Sequence, residues 1–261
     1  MREYVLFQMT EPVRQLLIDQ HLFYVKQAKN RLLLQFSELN TKESAEQFIK
    51  SWMKENQYCF NPGFHDEGDL YAEACERYHA LLDLGNQTRL SVVAGMYHEW
   101  EKQLRQWLVD EIKHWCSSEQ LKTEIWKANS GELAELMESV GWDWNEQPCY
   151  QVIDACRLVV NVYKHGDGPS IETLRAKYPQ FLVDEFADTA LTSSDPFYRP
   201  LNYMHLKIND THIQEFSDAI VAFWNDVPDN IHDNQDLSPP AWFSKARLKQ
   251  DSTLEKPAAH G

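Results

Sequence analysis

An arginine, an asparagine and a histidine recur at helical spacing between residues 155 and 168 and form one polar ridge. At about 100° per residue, Arg157, Asn161 and His165 fall on one face of a helix. The opposite face is apolar and carries Val152, Cys156, Val159, Val160 and Tyr163. A guanidinium holds a phosphate and an imidazole moves a proton, and these two operations cleave RNA without a metal. The ridge is therefore the candidate catalytic site.

The neighbours of the ridge favour a groove over an open surface. Leu158 and Val162 flank it with apolar side chains, and Asp154 and Lys164 are accessory polar positions on it. The alternative is a solvated helix face on which His165 is only a favourable cation at the helix C-terminus. Asn161 and His165 lie one turn apart and can touch one phosphodiester, which Arg157 reaches only by bending along the ridge.

Two segments together resemble the HEPN superfamily, over residues 87–179. One is Met96-Tyr97-His98-Glu99-Trp100-Glu101-Lys102-Gln103-Leu104, and the other runs Asn161-Val162-Tyr163-Lys164-His165-Gly166-Asp167-Gly168. The resemblance implies a helical bundle, many relatives of which are metal-independent ribonucleases of toxin–antitoxin, CRISPR and phage-defence systems. It also implies an RNA substrate, a homodimer in which two copies of the motif face each other, no cofactor, and an inhibitory or antitoxin partner.

The resemblance assigns Arg157 to the family's arginine, Asn161 to a polar accessory position and His165 to its histidine. In a transesterification, His165 would serve as general base or acid and Arg157 would stabilise the transition state. Glu99 or Glu101 would orient one of them by a charge-assisted hydrogen bond. Seven residues separate Arg157 from His165, more than the family's usual four to six. This departure leaves open a non-catalytic dimeric interaction module.

Two Glu-x-x-His motifs suggest a different chemistry, a di-iron or other metal centre. Glu76 with His79 and Glu111 with His114 are predicted on consecutive helices, as in ferritin-like bundles. A full centre needs two further glutamates, and 40 acidic residues and 10 histidines make chance pairs common. We therefore expect no metal. The acidic cluster at residues 65–69 is predicted to be a polar loop, because it lacks the alternation of a calcium loop.

Composition favours a mainly all-α globular protein. The 261 residues are 43% hydrophobic and include nine Trp but only nine Gly. A net charge of −15 confines any RNA contact to a local site. Five cysteines without a Cys-x-x-Cys pair predict reduced thiols and a cytoplasmic location, and Cys75 and Cys156 are predicted to be inert core thiols. No leader or membrane span is expected.

The predicted organisation is an N-terminal helical region (1–86), a HEPN-like helical domain (87–229) and a disordered tail (230–261). Helices are predicted over 11–36, 42–55, 70–82, 88–116, 131–140, 171–177 and 211–224, besides the ridge helix after Pro148. Gly85-Asn86 is predicted to stop one helix, Ser130 to cap another and Gly141 to end it. Residues 203–208 are predicted to form a strand.

Overall fold

The computed structural model describes residues 4–59, 67–116, 118–183, 201–232 and 238–254, and over these ranges the chain is mainly helical, as predicted. The helices are α1 (Glu11–Ala28), α2 (Lys42–Asn56), α3 (Glu67–Ile112), α4 (Glu119–Lys127), α5 (Ser130–Glu138), α6 (Tyr150–His165), α7 (Pro169–Lys177), α8 (Asp210–Asp226) and α9 (Ala241–Leu254). Two short strands, β1 (Val5–Gln8) and β2 (Asn230–His232), accompany them. Among the residues described, none of the helices is both long and apolar enough to cross a membrane.

The chain divides into two compact units, each made of separate stretches of sequence. Unit 1 comprises residues 1–22, 96–157 and 215–261, and unit 2 comprises residues 23–95 and 158–214. Helices α1, α3, α6 and α8 contribute residues to both units.

An aromatic cluster forms the core of unit 1. Phe223 on α8 meets the rings of Trp100, Trp142 and Trp144 at centroid distances of 5.1, 5.5 and 5.6 Å. All four side chains are buried, and edge-on ring pairs of this kind add to the free energy gained by removing their surface from water. The cluster ties α8 to the C-terminal part of α3 and to the loop before α6.

Two side chains near the end of α3 and one just beyond it contact the two-stranded sheet of unit 1. β1 pairs antiparallel with β2, with Phe7 opposite Ile231. The indoles of Trp107 and Trp115 donate to the carbonyls of Gln8 and Leu6 at 3.1 and 2.8 Å, and the Gln8 N–H donates to Glu111 at 2.8 Å. Backbone groups of Leu6 and Gln8 in β1 are thereby paired with side chains.

Arg14 closes the C-terminal end of α8. Its guanidinium is buried, donates to the carbonyl of Val227 at 2.9 Å and pairs with Asp229 at 2.7 Å. The last carbonyls of a helix lack intrahelical partners, so a cation there both satisfies them and complements the helix dipole. The buried arginine thus has a structural role in holding α1 against α8.

Unit 1 includes part of the segment, residues 230–261, that was predicted to be a disordered tail. β2 and α9 both lie there, and α9 packs against α4. Phe243 and Ala246 of α9 are buried, and the ring of Phe243 lies 6.2 Å from that of Trp115. These two apolar side chains anchor α9 in spite of the polar composition of its segment. The rest of the expected tail, residues 233–237 and 255–261, lies outside the described ranges.

The prediction that Gly85 and Asn86 stop a helix is wrong, because α3 runs through both residues without a break. Gly85 is buried, and a Cβ there would meet the Phe36 ring and Arg89 Nη1 at 3.3 Å. The Asn86 amide donates to the Leu206 carbonyl at 2.8 Å and accepts from the Ile208 N–H at 3.1 Å. The two residues therefore serve close packing and tertiary pairing in unit 2.

The side-chain amide of Asn86 explains why residues 203–208 do not form the regular strand that was predicted. Tyr203–His205 is a 3-10 turn, and only Leu206 makes an antiparallel bridge, with Leu182. Asn86 occupies the carbonyl of Leu206 and the N–H of Ile208, the groups that a neighbouring strand would need. The segment is extended but is held by a helix side chain.

Helix α5 begins at Ser130, the residue predicted to be its cap, and thus one residue earlier than predicted. Asn129, and not Ser130, is the N-cap, and it forms a reciprocal capping box with Glu132. Ser130 is the first helical residue. The predicted end of this helix is confirmed, since Gly141 has φ +90° and follows the last turn.

Candidate catalytic site

Helix α6 carries the whole predicted ridge and is buried around most of its circumference. Residues 153–156, 158–160 and 162 are buried, including the flanking Leu158 and Val162. Arg157 and Asn161 are half-buried, and Lys164 and His165 are exposed. The ridge is therefore the most accessible face of a helix whose other faces are buried.

A buried carboxylate fixes Arg157 within unit 1. The Asp154 side chain is 3% exposed, and its Oδ1 accepts from Arg157 Nε at 3.1 Å and Nη2 at 2.5 Å. The arginine side chain itself is 30% exposed. Since Nε and Nη2 are turned toward Asp154, Nη1 is the part of the guanidinium left to approach a further anion.

The surroundings of Arg157 keep it charged. Burial alone would lower the pKa of its guanidinium, but the hydrogen bond and the charge of Asp154 outweigh it and raise the pKa. Tyr97 of α3 is close enough to interact electrostatically with both Arg157 and Glu101, and burial raises the pKa of its phenol well above the usual value. The spacing places Tyr97 on an apolar face of its helix, so the sequence contained no signal of its electrostatic interaction with Arg157.

Glu99 and Glu101 have other partners in the described part of unit 1. Glu99 lies 3.0 Å from Lys102, and Glu101 lies 3.3 Å from both Arg105 and His98 Nδ1. The carboxylate that orients Arg157 is Asp154. This pairing runs three residues along one helix, where opposite charges are neighbours.

Asn161, Lys164 and His165 belong to the part of α6 that lies in unit 2. Gly166 follows them with φ +62°, a left-handed conformation that ends the helix at His165 as expected for a glycine there. Tyr203 packs beside Gly166, and its N–H donates to Asp167 at 2.9 Å. With the residues described, the His165 and Lys164 side chains make no hydrogen bond or ion pair, so both stand open to a ligand.

The prediction that the two Glu-x-x-His motifs lie on consecutive helices is wrong. Both glutamates are on α3, Glu76 in unit 2 and Glu111 in unit 1. Glu111 accepts the Gln8 N–H and has a structural role, while Glu76 and His79 are exposed. The described ranges contain no cluster of three or more metal-ligating side chains. Of the predicted polar loop at residues 65–69, residues 65 and 66 lie outside the described ranges, and the prediction is wrong for residues 67–69, which form the first turn of α3.

Two buried cysteines of the described ranges are poor candidates for a nucleophile. Cys156 is fully enclosed in α6, and burial raises the pKa of its thiol. Cys149 is buried too, and burial raises its pKa to about 11. A thiol that stays protonated is a poor nucleophile, in agreement with the predicted core role of Cys156. Cys75 is half-buried, and the four cysteines placed within the described ranges form no disulfide.

No family model, no curated protein and no solved structure matches the chain. The resemblance to the HEPN superfamily thus depends on the residues of the sequence. What the site can do is inferred from the chemistry of α6.

Proposed function

We propose that the protein is a metal-independent endoribonuclease of HEPN type, a toxin or phage-defence effector that works in the cytoplasm without a cofactor. Its catalytic groups are Arg157, Asn161 and His165 of α6. An RNA strand would meet them along the open ridge of this helix. The protein is acidic, with a net charge of −15, so contact with RNA is confined to the ridge.

The pairing of Arg157 with Asp154 is the observation that carries this proposal. Burying a carboxylate is costly unless it is paired, and here a 3% exposed aspartate pairs with an arginine whose side chain is 30% exposed. A donor fixed in advance toward a developing negative charge needs no reorganisation during the reaction. This arrangement suits the stabilisation of a phosphorane-like transition state.

The reaction is a transesterification of RNA. His165 removes the proton of a ribose 2′-OH, the 2′-oxygen attacks the adjacent phosphorus, and the bond from phosphorus to the 5′-oxygen breaks. The imidazolium then returns the proton to the leaving 5′-oxygen. The products are a 2′,3′-cyclic phosphate and a 5′-hydroxyl, and Asn161 holds the phosphate one turn from His165.

A second copy of the chain would bring an Arg157 and a His165 close together. The two residues are eight positions apart on α6, about 12 Å along the axis at 1.5 Å per residue. In a homodimer whose two-fold axis passes near Asn161, the α6 helices run antiparallel. Arg157 of one copy then lies opposite His165 of the other. A proteinaceous or RNA antitoxin would inhibit the enzyme by covering this ridge.

The test is cleavage of an end-labelled RNA in excess EDTA. Wild-type protein is expected to cut the RNA and to leave single-stranded DNA intact, because DNA lacks the attacking 2′-OH. Arg157→Ala and His165→Ala should each lower the rate about 100-fold or more. Failure of the wild-type protein to cleave any RNA would refute the proposal.

Matched controls are available on α3. Arg77 and His79 are exposed residues of the same two types in unit 2, and Arg77→Ala and His79→Ala should keep the wild-type rate. Thermal unfolding of each variant separates loss of chemistry from loss of fold. Equal losses in the ridge and control variants would contradict the assignment.

One observation favours the second candidate, a non-catalytic dimeric interaction module. Arg157 already has an ion-pair partner in Asp154, so a phosphate must compete with an internal carboxylate. In that case the wild-type protein would dimerise without cutting RNA. Arg157→Ala would lower the Tm while leaving dimerisation intact.

A further inference from the structure

A cavity of about 460 Å³ lies in unit 1, between α1, α4 and the C-terminal part of α3. The apolar part of its wall comprises Val13, Leu17, Trp107 and Trp126. The rest of the wall is polar and consists of amides, carboxylates and one ammonium group. A cavity of this volume with a mixed lining is typical of a site for a small organic molecule.

Trp126 of α4 leaves an aromatic ring open to water on this wall. It is 40% exposed, whereas the other eight tryptophans of the chain are buried or half-buried. Val13, on the same wall, is 39% exposed. Covering a large apolar side chain with an apolar ligand removes its surface from water and is favourable. The cavity therefore offers an aromatic and aliphatic surface to the apolar part of a ligand.

The floor of the cavity is one stripe of α3. It is formed at four-residue intervals, about 6 Å apart along the helix axis, by Glu99, Gln103, Trp107 and Glu111. Gln103 Nε2 donates to Gln20 Oε1 of α1 at 3.1 Å, and the Trp107 indole donates to the Gln8 carbonyl at 3.1 Å. These bonds hold the floor in place, and they set the carboxylate of Glu111 one turn from an indole.

Glu111 is a carboxylate without a permanent cation beside it. Its side chain is 15% exposed, and its Oε2 accepts the Gln8 N–H at 2.8 Å. His114 Nδ1 lies 3.8 Å from Oε2, but that ring is 73% exposed and is charged only when protonated. Among the described residues, no donor reaches Glu111 Oε1. Because a carboxylate largely withdrawn from water is stabilised by a cation, this oxygen favours a positively charged ligand.

The other charges of the lining add to this preference. Glu99 and Asp110 also line the cavity, and Lys102 is the basic residue among the described lining residues. Glu99 lies 3.0 Å from Lys102, and Asp110 lies 2.7 Å from Lys113, which is outside the lining. All four side chains are more than half exposed, so water and salt weaken these pairs. Three carboxylates against one ammonium leave the cavity electronegative.

We propose that this cavity binds a small organic cation, a primary ammonium group on an aromatic body. The ammonium donates to Glu111 Oε1, and the aromatic body packs against Trp107, Trp126 and Leu17. An indole also attracts a cation that lies within about 6 Å of the ring centre. The site does not depend on the proposed ribonuclease activity.

Isothermal titration of the full chain with 2-phenylethylamine, 2-phenylethanol and ethylamine tests the proposal. The aromatic amine should bind with a 1:1 stoichiometry. The alcohol has the same body without the charge, and ethylamine has the charge without the ring, so each should bind at least about tenfold more weakly.

Glu111→Gln removes the charge and keeps an oxygen that can accept the Gln8 N–H. This variant should weaken binding of 2-phenylethylamine about tenfold or more. Glu135→Gln is the matched control, because Glu135 is an exposed carboxylate of α5 in the same unit and is not part of the lining. It should bind the amine as the wild type does.

Trp126→Ala is a second variant in case the change at Glu111 disturbs the contact with β1. It should weaken binding at least about fivefold, with circular dichroism to check the fold. No heat of binding with the wild-type protein would overturn the proposal, as would equal affinities for the amine and the alcohol. Wild-type affinity in either folded variant would overturn it too.

Discussion

In unit 1, the protonation state of a polar side chain depends more on its burial and its partners than on its residue type. Arg157 stays charged because Asp154 accompanies it, whereas His21 is buried with a hydroxyl as its partner. His21 Nε2 lies 2.9 Å from Ser217 Oγ. Burial lowers the pKa of His21 to about 4, and the opposing effects of Ser217 and Asp218 are smaller. The native state therefore holds a neutral imidazole.

This neutral histidine should make the stability depend on pH. The unfolded chain takes up a proton at His21 below about pH 6.5, while the native state takes it up only near pH 4. The free energy of unfolding should therefore fall as the pH decreases from 6.5 to 4, by at most about 3 kcal/mol from this residue.

His21→Gln isolates the contribution of the histidine because glutamine is polar but does not titrate. Urea denaturation at several pH values should show that the variant loses less stability than the wild type between pH 6.5 and 4. Parallel curves for the two proteins over this range would contradict the lowered pKa of His21.

Residue spacing predicted one helix bearing Arg157, Asn161 and His165, and α6 contains all three. It did not predict that Asp154 would be the partner of Arg157, although it placed Asp154 on the ridge. Three carboxylates, at 99, 101 and 154, were within plausible reach of an arginine. The choice among them depends on tertiary packing, which a periodic pattern does not encode.

At the scale of elements, the cap of α5 offers a direct comparison of sequence and structure. Asn129 accepts the Glu132 N–H at 3.1 Å, and Glu132 accepts the Asn129 N–H at 2.8 Å. Asn129→Ala should therefore cost about 1 kcal/mol of unfolding free energy. Ser130→Ala is the matched control and should change it by less than about 0.5 kcal/mol, because Ser130 is inside the helix. Chemical denaturation measures both, and a larger loss for Ser130→Ala would contradict the observed cap.

Helices with a strong periodicity of apolar residues, or with a glycine at their end, could be predicted from the sequence. Helix α2 was predicted within one residue, and Gly141 and Gly166 end their helices with positive φ. Gly85 was wrongly predicted to end a helix, because glycine also occurs inside helices where another group packs closely against the backbone. Its close neighbours Phe36 and Arg89 reveal this role, and they are visible only in the structure. Strands β1 and β2 are too short to leave a pattern, and their pairing joins residues far apart in the sequence.

At the scale of the whole molecule, the two units interleave along the chain. Unit 1 draws on three stretches and unit 2 on two. A domain boundary can be predicted from the sequence where the composition changes. No such change occurs inside α1, α3, α6 or α8, where the two units divide. The arrangement of units depends on contacts between distant residues and was not predictable from local pattern.

The central claim, that each ribonuclease site is formed by the α6 helices of two copies, is tested most directly by mixing inactive variants. Arg157→Ala and His165→Ala proteins are unfolded together and refolded as a mixture, and RNA cleavage in EDTA is measured. Half of the dimers should be mixed, and each mixed dimer should have one intact site out of two. We therefore expect about a quarter of the wild-type rate from the mixture and almost none from either variant alone. A mixture no more active than its components would contradict the claim.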